Sequence, residues 1–154
     1  LDLYNNPVNK FVAGFIGSPP MNFITMRVKK TGNSLFIEEG GFALELENPH
    51  KENLTPFVGK DIVLGIRPED LTISANSREG VTIPTKVTVV EPLGSEIHLY
   101  SMTDIHQIIS RVEPDIRLRP GDSTYLLPNL KNAVFFDSET DKAVSQEQIL
   151  AFQT

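Results

Sequence analysis

The 154-residue chain has no cysteine and no tryptophan, and only three tyrosines. Without cysteine there is no disulfide frame, no thiolate zinc site and no Cys nucleophile. That pattern fits a cytosolic protein. A basic excess is also missing: 14 Lys and Arg stand against 20 Asp and Glu, for a net charge of −6. An acidic chain with no tryptophan and few tyrosines suits neither phosphate contacts nor base stacking in a basic groove, so no nucleic-acid partner is expected. Solubility is the plain reading of the charge. No apolar run approaches the roughly 20 residues that span a bilayer. The first residues, Leu1-Asp2-Leu3-Tyr4-Asn5-Asn6, have neither a basic region nor an apolar core, so no signal peptide is expected there. They also lack an initiator Met, which favours a piece of a longer chain.

Catalytic signatures are missing as well. A P-loop needs G-x-x-x-x-G-K-[ST], whose backbone amides and lysine hold phosphates. Here Gly59-Lys60 is followed by Asp61, with no glycine five positions earlier. No Walker B run is evident, and the nucleophile elbow G-x-S-x-G is absent. His50, His98 and His106 lie too far apart for a local ligand pair. No residue is therefore nominated as catalytic, cofactor-binding or metal-ligating.

What is present is a helix-to-strand junction followed by many short strands. Asn6 and Pro7 suit a helix start, and Val8, Phe11, Val12, Phe15 and Ile16 fall on one apolar face. Gly17 and Pro19-Pro20 end it. So short a helix is marginal alone, so Phe11, Val12, Phe15 and Ile16 are expected to dock on another surface. From Asn22 the pattern alternates, with Phe23, Thr25 and Arg27 on one side and Ile24, Met26 and Val28 on the other. A turn at Thr31-Gly32-Asn33 precedes a hairpin arm over Ser34–Glu38, and Gly40-Gly41 turns into Phe42–Leu46. Residues 48–53 read as a polar loop. Strands follow over Ile62–Arg67 and Leu71–Ile73, with a polar seam near 74–80. Val81–Val90 is long, with Val81, Ile83, Val87 and Val89 on one parity, and Pro84 points to a sheet edge or a bulge. Further strands are expected over Glu96–Ser101, Gln107–Val112, Ser123–Leu127 and Ala133–Phe136. A short second helix is expected over Ser145–Phe152. The fold class is mainly β, a small barrel or sandwich with a short helix at each end.

Three motifs resemble those of a known family. Phe11-Val12-Ala13-Gly14-Phe15-Ile16-Gly17-Ser18-Pro19 with Met21-Asn22-Phe23 resembles the junction that follows the ATPase domain in MalK-like sugar-importer ABC ATPases. Gly65-Ile66-Arg67-Pro68-Glu69-Asp70 resembles that family's GIRPE signature, and Val90-Glu91-Pro92-Leu93-Gly94-Ser95-Glu96 its VE-x-LG-x-E hairpin. The resemblance implies an OB-type β domain (TOBE/OB) in two packed parts. It places residues 1–20 as the tail of an upstream ATPase domain and 21–154 as a regulatory domain. ATP and Mg would belong to that upstream domain, so this chain alone would not be an enzyme. Implied partners are a second copy of the subunit, the membrane permease subunits through the ATPase domain, and a cytosolic regulatory protein. The implied setting is the cytoplasmic face of the cell membrane.

Candidate subunit or regulator contacts are Arg67, Pro68, Glu69, Asp70, Glu91, Gly94 and Glu96. A charged tip at Arg67–Asp70 can face a partner; equally, it can be a strand-end turn whose charges pair locally. Arg117-Leu118-Arg119 can grip an anionic partner or be a solvated loop. The expected function is regulation and dimerisation of a carbohydrate ABC importer's ATP-binding subunit. The alternative is a module sensing a small oxyanion or sugar, and a single-strand nucleic-acid binder ranks last.

Overall fold

The computed structural model describes residues 6–10 and 19–144. The expected C-terminal helix and most of the expected N-terminal one, including Phe11, Val12, Phe15 and Ile16, lie outside those residues; Val8, expected on the apolar face of the latter, is 62% exposed, and Asn9 bridges to Lys142. Alternation of apolar and polar side chains produces the strands, because successive side chains point to opposite faces of a sheet. The strands are β1 (Asn22–Thr31), β2 (Ser34–Glu39), β3 (Phe42–Leu46), β4 (Asp61–Ile66), β5 (Leu71–Ser74), β6 (Ile83–Pro92), β7 (Ile97–Met102), β8 (Gln107–Val112), β9 (Ser123–Pro128) and β10 (Val134–Asp137). They form two five-stranded sheets, in the orders β10-β4-β1-β2-β3 and β5-β9-β6-β7-β8. Every pairing between these strands is antiparallel. The result is a two-sheet, OB-like sandwich rather than a closed barrel.

The core lies between the sheets. Ile24, Met26 and Val28 of β1, Leu35 and Ile37 of β2 and Ile62, Leu64 and Ile66 of β4 meet Leu71, Ile83, Ile108 and Leu126 of the second sheet. Each such side chain contributes roughly 1.5–3 kcal/mol on burial. β4 is covered on its other face too, where Val63 packs with Met21 and Phe136. Gly65 makes that cover possible: a Cβ there would lie 2.6 Å from Met21 Sδ and 2.8 Å from a Phe136 ring carbon. β10 arrives after the whole second sheet and pairs with β4, so the two sheets are interleaved in sequence.

Two polar clamps tie the sheets together. Asn22, 7% exposed, donates from Nδ2 to the carbonyls of Ile66 (3.2 Å) and Ile109 (2.8 Å) and accepts the Ile109 N–H at 2.8 Å. Its amide thereby stands in for a strand neighbour to β8. At the other clamp, Glu39 has a side chain only 1% exposed. Its Oε2 accepts the Thr103 hydroxyl at 2.6 Å and the His106 Nδ1–H at 2.8 Å. His106 Nε2 in turn accepts the Thr25 N–H at 3.3 Å.

Two sequence expectations need correction. Residues 48–53 are not simply a loop: a five-residue helix, α1 (His50–Leu54), occupies most of the stretch. Asn48 Oδ1 accepts the Glu52 N–H at 3.1 Å, and Leu54 is buried. One and a half turns with a single core residue carry no readable periodicity. Val89 does not share a face with Ile83 and Val87. The pairing of β6 with β7 shifts between Val87 and Val89, and this β-bulge leaves Val89 50% exposed. Pro84 lies apart from the bulge, in a part of β6 that pairs only with β9, since pairing with β7 starts at Lys86. There its missing N–H breaks no ladder toward β7.

Candidate functional site

The chain passes from the first sheet to the second through Arg67–Asp70. Pro68 cannot extend β4 and instead opens a single 3-10 turn over Pro68–Asp70, closed by the Asp70 N–H on the Arg67 carbonyl at 2.9 Å. Asp70 is then pinned twice: its carbonyl accepts the Asn129 N–H at 2.8 Å, and its Oδ1 accepts the Asn132 amide at 3.0 Å. Arg67 is 4% exposed and Pro68 is buried, while Glu69 and Asp70 are half-buried. Of this motif, only the two acids therefore reach the surface.

Arg67, Glu69 and Asp70 share a cleft of about 590 Å³ with His50, Asn53 and Lys131. The His50 Nε2–H donates to the Leu130 carbonyl at 2.6 Å, and the ring stands edge-on to Phe135 at 4.9 Å. Burial lowers the His50 pKa below the ordinary histidine value, and the hydrogen bond to Leu130 only partly opposes this. His50 is therefore neutral at neutral pH. The cleft thus presents fixed charges and hydrogen-bonding groups, a setting for recognition.

The third motif forms the turn between β6 and β7. The Leu93 N–H donates to the Glu96 carbonyl at 2.8 Å, and Gly94 takes φ +79°, which favours glycine. Glu91 and Gly94 are exposed. His98 lies between two acids, with Nε2 2.8 Å from Glu96 and Nδ1 3.7 Å from Glu91. Arg111 approaches Glu96 at 3.6 Å. Glu69 and Glu96 then wall one hollow of about 670 Å³ beside Arg111, although 27 residues separate them in sequence. The structure thus joins one acid from each of two motifs, whereas Arg67, Pro68, Glu91 and Gly94 stay outside that hollow. Sequence reasoning did not single out Asn53, Lys131 or Arg111, which acquire their place only through long-range pairing. Among the described residues, no group of three or more His, Asp or Glu is placed to hold a metal ion.

Comparison with known proteins follows the same division. Residues 17–71 match the MalK OB fold domain, and residues 64–136 match the TOBE domain. The two matches overlap where the chain changes sheets. The oligosaccharides import ATP-binding protein MsmX of Bacillus subtilis is 36% identical, over 91% of this chain and 39% of its own length. The multiple sugar-binding transport ATP-binding protein MsmK of Streptococcus mutans is 38% identical, over 93% and 38%. The trehalose/maltose import ATP-binding protein MalK of Thermococcus litoralis is 34% identical, over 93% and 39%. The chain therefore spans about two fifths of the length of these relatives. The molybdate-bound crystal structure of the cytoplasmic molybdate-binding protein ModG superposes with a TM-score of 0.55 at 15% identity, over 74% of this chain and 94% of that one. At that identity the likeness is one of fold alone.

Proposed function

The chain belongs to the MalK OB fold and TOBE domain family of sugar-import ABC ATP-binding subunits, and from that premise we propose that it pairs two such subunits and regulates their closure. The observation that carries this reading is the tandem of a MalK OB fold domain and a TOBE domain over residues 17–136 of this chain, together with relatives named for sugar import or transport. In the parent protein, ATP and Mg act in the upstream domain, and two such domains meet to enclose nucleotide. A domain that stays paired while they are apart makes re-closure intramolecular, at an effective concentration of millimolar order. Any partner that binds the paired and separated arrangements unequally then shifts the balance between them. The parent subunit works at the cytoplasmic face of the membrane against its permease subunits. Among the described residues of this chain, no helix is long and apolar enough to cross a bilayer.

Glu69 and Asp70 at the sheet crossover, with Glu91, Gly94 and Glu96 at the β6–β7 turn, are the surface residues we assign to subunit or regulator contacts. Arg67 and Pro68 support that surface from within. The test is the dilution behaviour of ATP hydrolysis in the full-length parent. The intact subunit is expected to keep a constant specific activity on dilution. A parent lacking this region is expected to lose specific activity as concentration falls. Equal behaviour of the two would contradict the reading.

A further inference from the structure

Residues 114–119 bring together two features that the proposed function does not use. Burial alternates along them: Ile116 and Leu118 turn inward and pack on the Val87, Ile97, Leu99 and Val112 cluster, while Arg117 and Arg119 stay exposed. Between this segment and the β6–β7 turn runs a groove of about 500 Å³, floored by Val90, Ile97, Ile116 and Leu118. Arg117 and Arg119 stand on its rim, and its lining contains no acidic residue. Among the described residues, neither arginine side chain makes an ion pair. The nearby Asp122 carboxylate instead accepts the Arg119 backbone N–H at 2.9 Å.

In a chain of net charge −6, two unpaired cations over an apolar groove run against the general charge. We propose that this groove docks an acidic segment of another protein, its apolar side chains on the Ile97–Leu118 floor and its carboxylates on Arg117 and Arg119. Complementary charge selects and orients such a segment, and the apolar anchors supply most of its affinity. A second copy of this chain is a poorer occupant. Of the acids at its β6–β7 turn, Glu96 already faces Arg111, and both Glu91 and Glu96 are assigned above to a different contact. Nucleic acid is poorer still, because no aromatic side chain lines the groove for a base to stack on. The groove adjoins the assigned contact surface at Gly94 and is otherwise separate from it, and the proposal rests on that reading only for the partner's being a protein. Its test reads groove occupancy rather than subunit pairing, so the two fail separately.

The probe is a capped seven-residue peptide alternating glutamate and leucine, with a lysine-for-glutamate version as its counterpart. Each is titrated into the 15N-labelled chain. The acidic peptide is expected to shift amide signals of Val90, Ile97 and Leu118. The R117E/R119E double variant, altered only at exposed positions, is expected to keep its dispersed spectrum. It should bind the acidic peptide at least about tenfold more weakly and take up the lysine peptide instead. Raising salt from low to half-molar should weaken the original complex. Shifts that map elsewhere, no shifts at millimolar peptide, or binding unchanged by the charge reversal would each overturn the proposal. So would self-association of the chain, or its sedimentation with anionic vesicles, that disappears in the same double variant.

Discussion

Replacing Asn22 by alanine removes three hydrogen bonds at once, two to the Ile109 backbone on β8 and one to the Ile66 carbonyl on β4. Each intramolecular bond is worth about 0.5–1.5 kcal/mol net, and a buried backbone group left without a partner costs about 1–3 kcal/mol. Water can reach half-buried Ile109 more easily than buried Ile66, so the lower end applies there. The expected loss is about 3 kcal/mol, a fall of roughly 6–12 °C in Tm for a domain of this size. Asn22→Asp keeps an acceptor for the Ile109 N–H but points a charge at two carbonyls, and it should be at least as harmful. The assay is urea unfolding followed by circular dichroism, with the exposed Thr25→Ala on the same strand as a control expected within about 0.5 kcal/mol of the parent. A loss under about 1 kcal/mol for Asn22→Ala would refute the view that this amide holds the sheets together.

Three further outcomes follow from the same packing. Gly65→Ala drives a methyl into Met21 and Phe136 and should cost about 1–3 kcal/mol, measured by the shift in urea midpoint. Glu39→Ala strips the acceptor from Thr103 and His106 and should cost roughly 2–3 kcal/mol, with amide exchange rising at the β7–β8 turn. His50 governs a pH dependence: its folded pKa lies below the unfolded value of about 6.5, so between the two the unfolded chain binds more protons. Stability should therefore fall as pH drops below about 6.5 and level off below the folded pKa. His50→Gln should lessen this fall between pH 7.5 and 5.5, and an identical fall in both proteins would contradict the assignment.

Much of the sheet structure is legible in the sequence because strand alternation is local. Ile24, Met26 and Val28 announce the inner face of β1, and Gly40-Gly41 announces the turn into β3. Val89 is misplaced by the same rule because a bulge reverses parity without leaving a mark in composition. The helix at His50–Leu54 is hidden by its shortness. In the site, Pro68 marks the end of β4, but nothing local says that the following acids reach two different hollows, or that Arg67 turns inward. That depends on β9 and on the Asn129–Asn132 stretch, some 60 residues away, which hold Asp70 in place. The clamp between Glu39 and His106 is likewise invisible, since its partners lie 67 residues apart. Asn22 stands inside a recognisable motif, yet its role appears only when β8 is brought beside it.

Sedimentation equilibrium of the full-length, nucleotide-free parent, with and without residues 21–154, tests the tether most directly. Paired subunits that come apart on removal of this region, with dissociation rising by two orders of magnitude or more, are the predicted result. Equal association of the two proteins would show that pairing is held elsewhere.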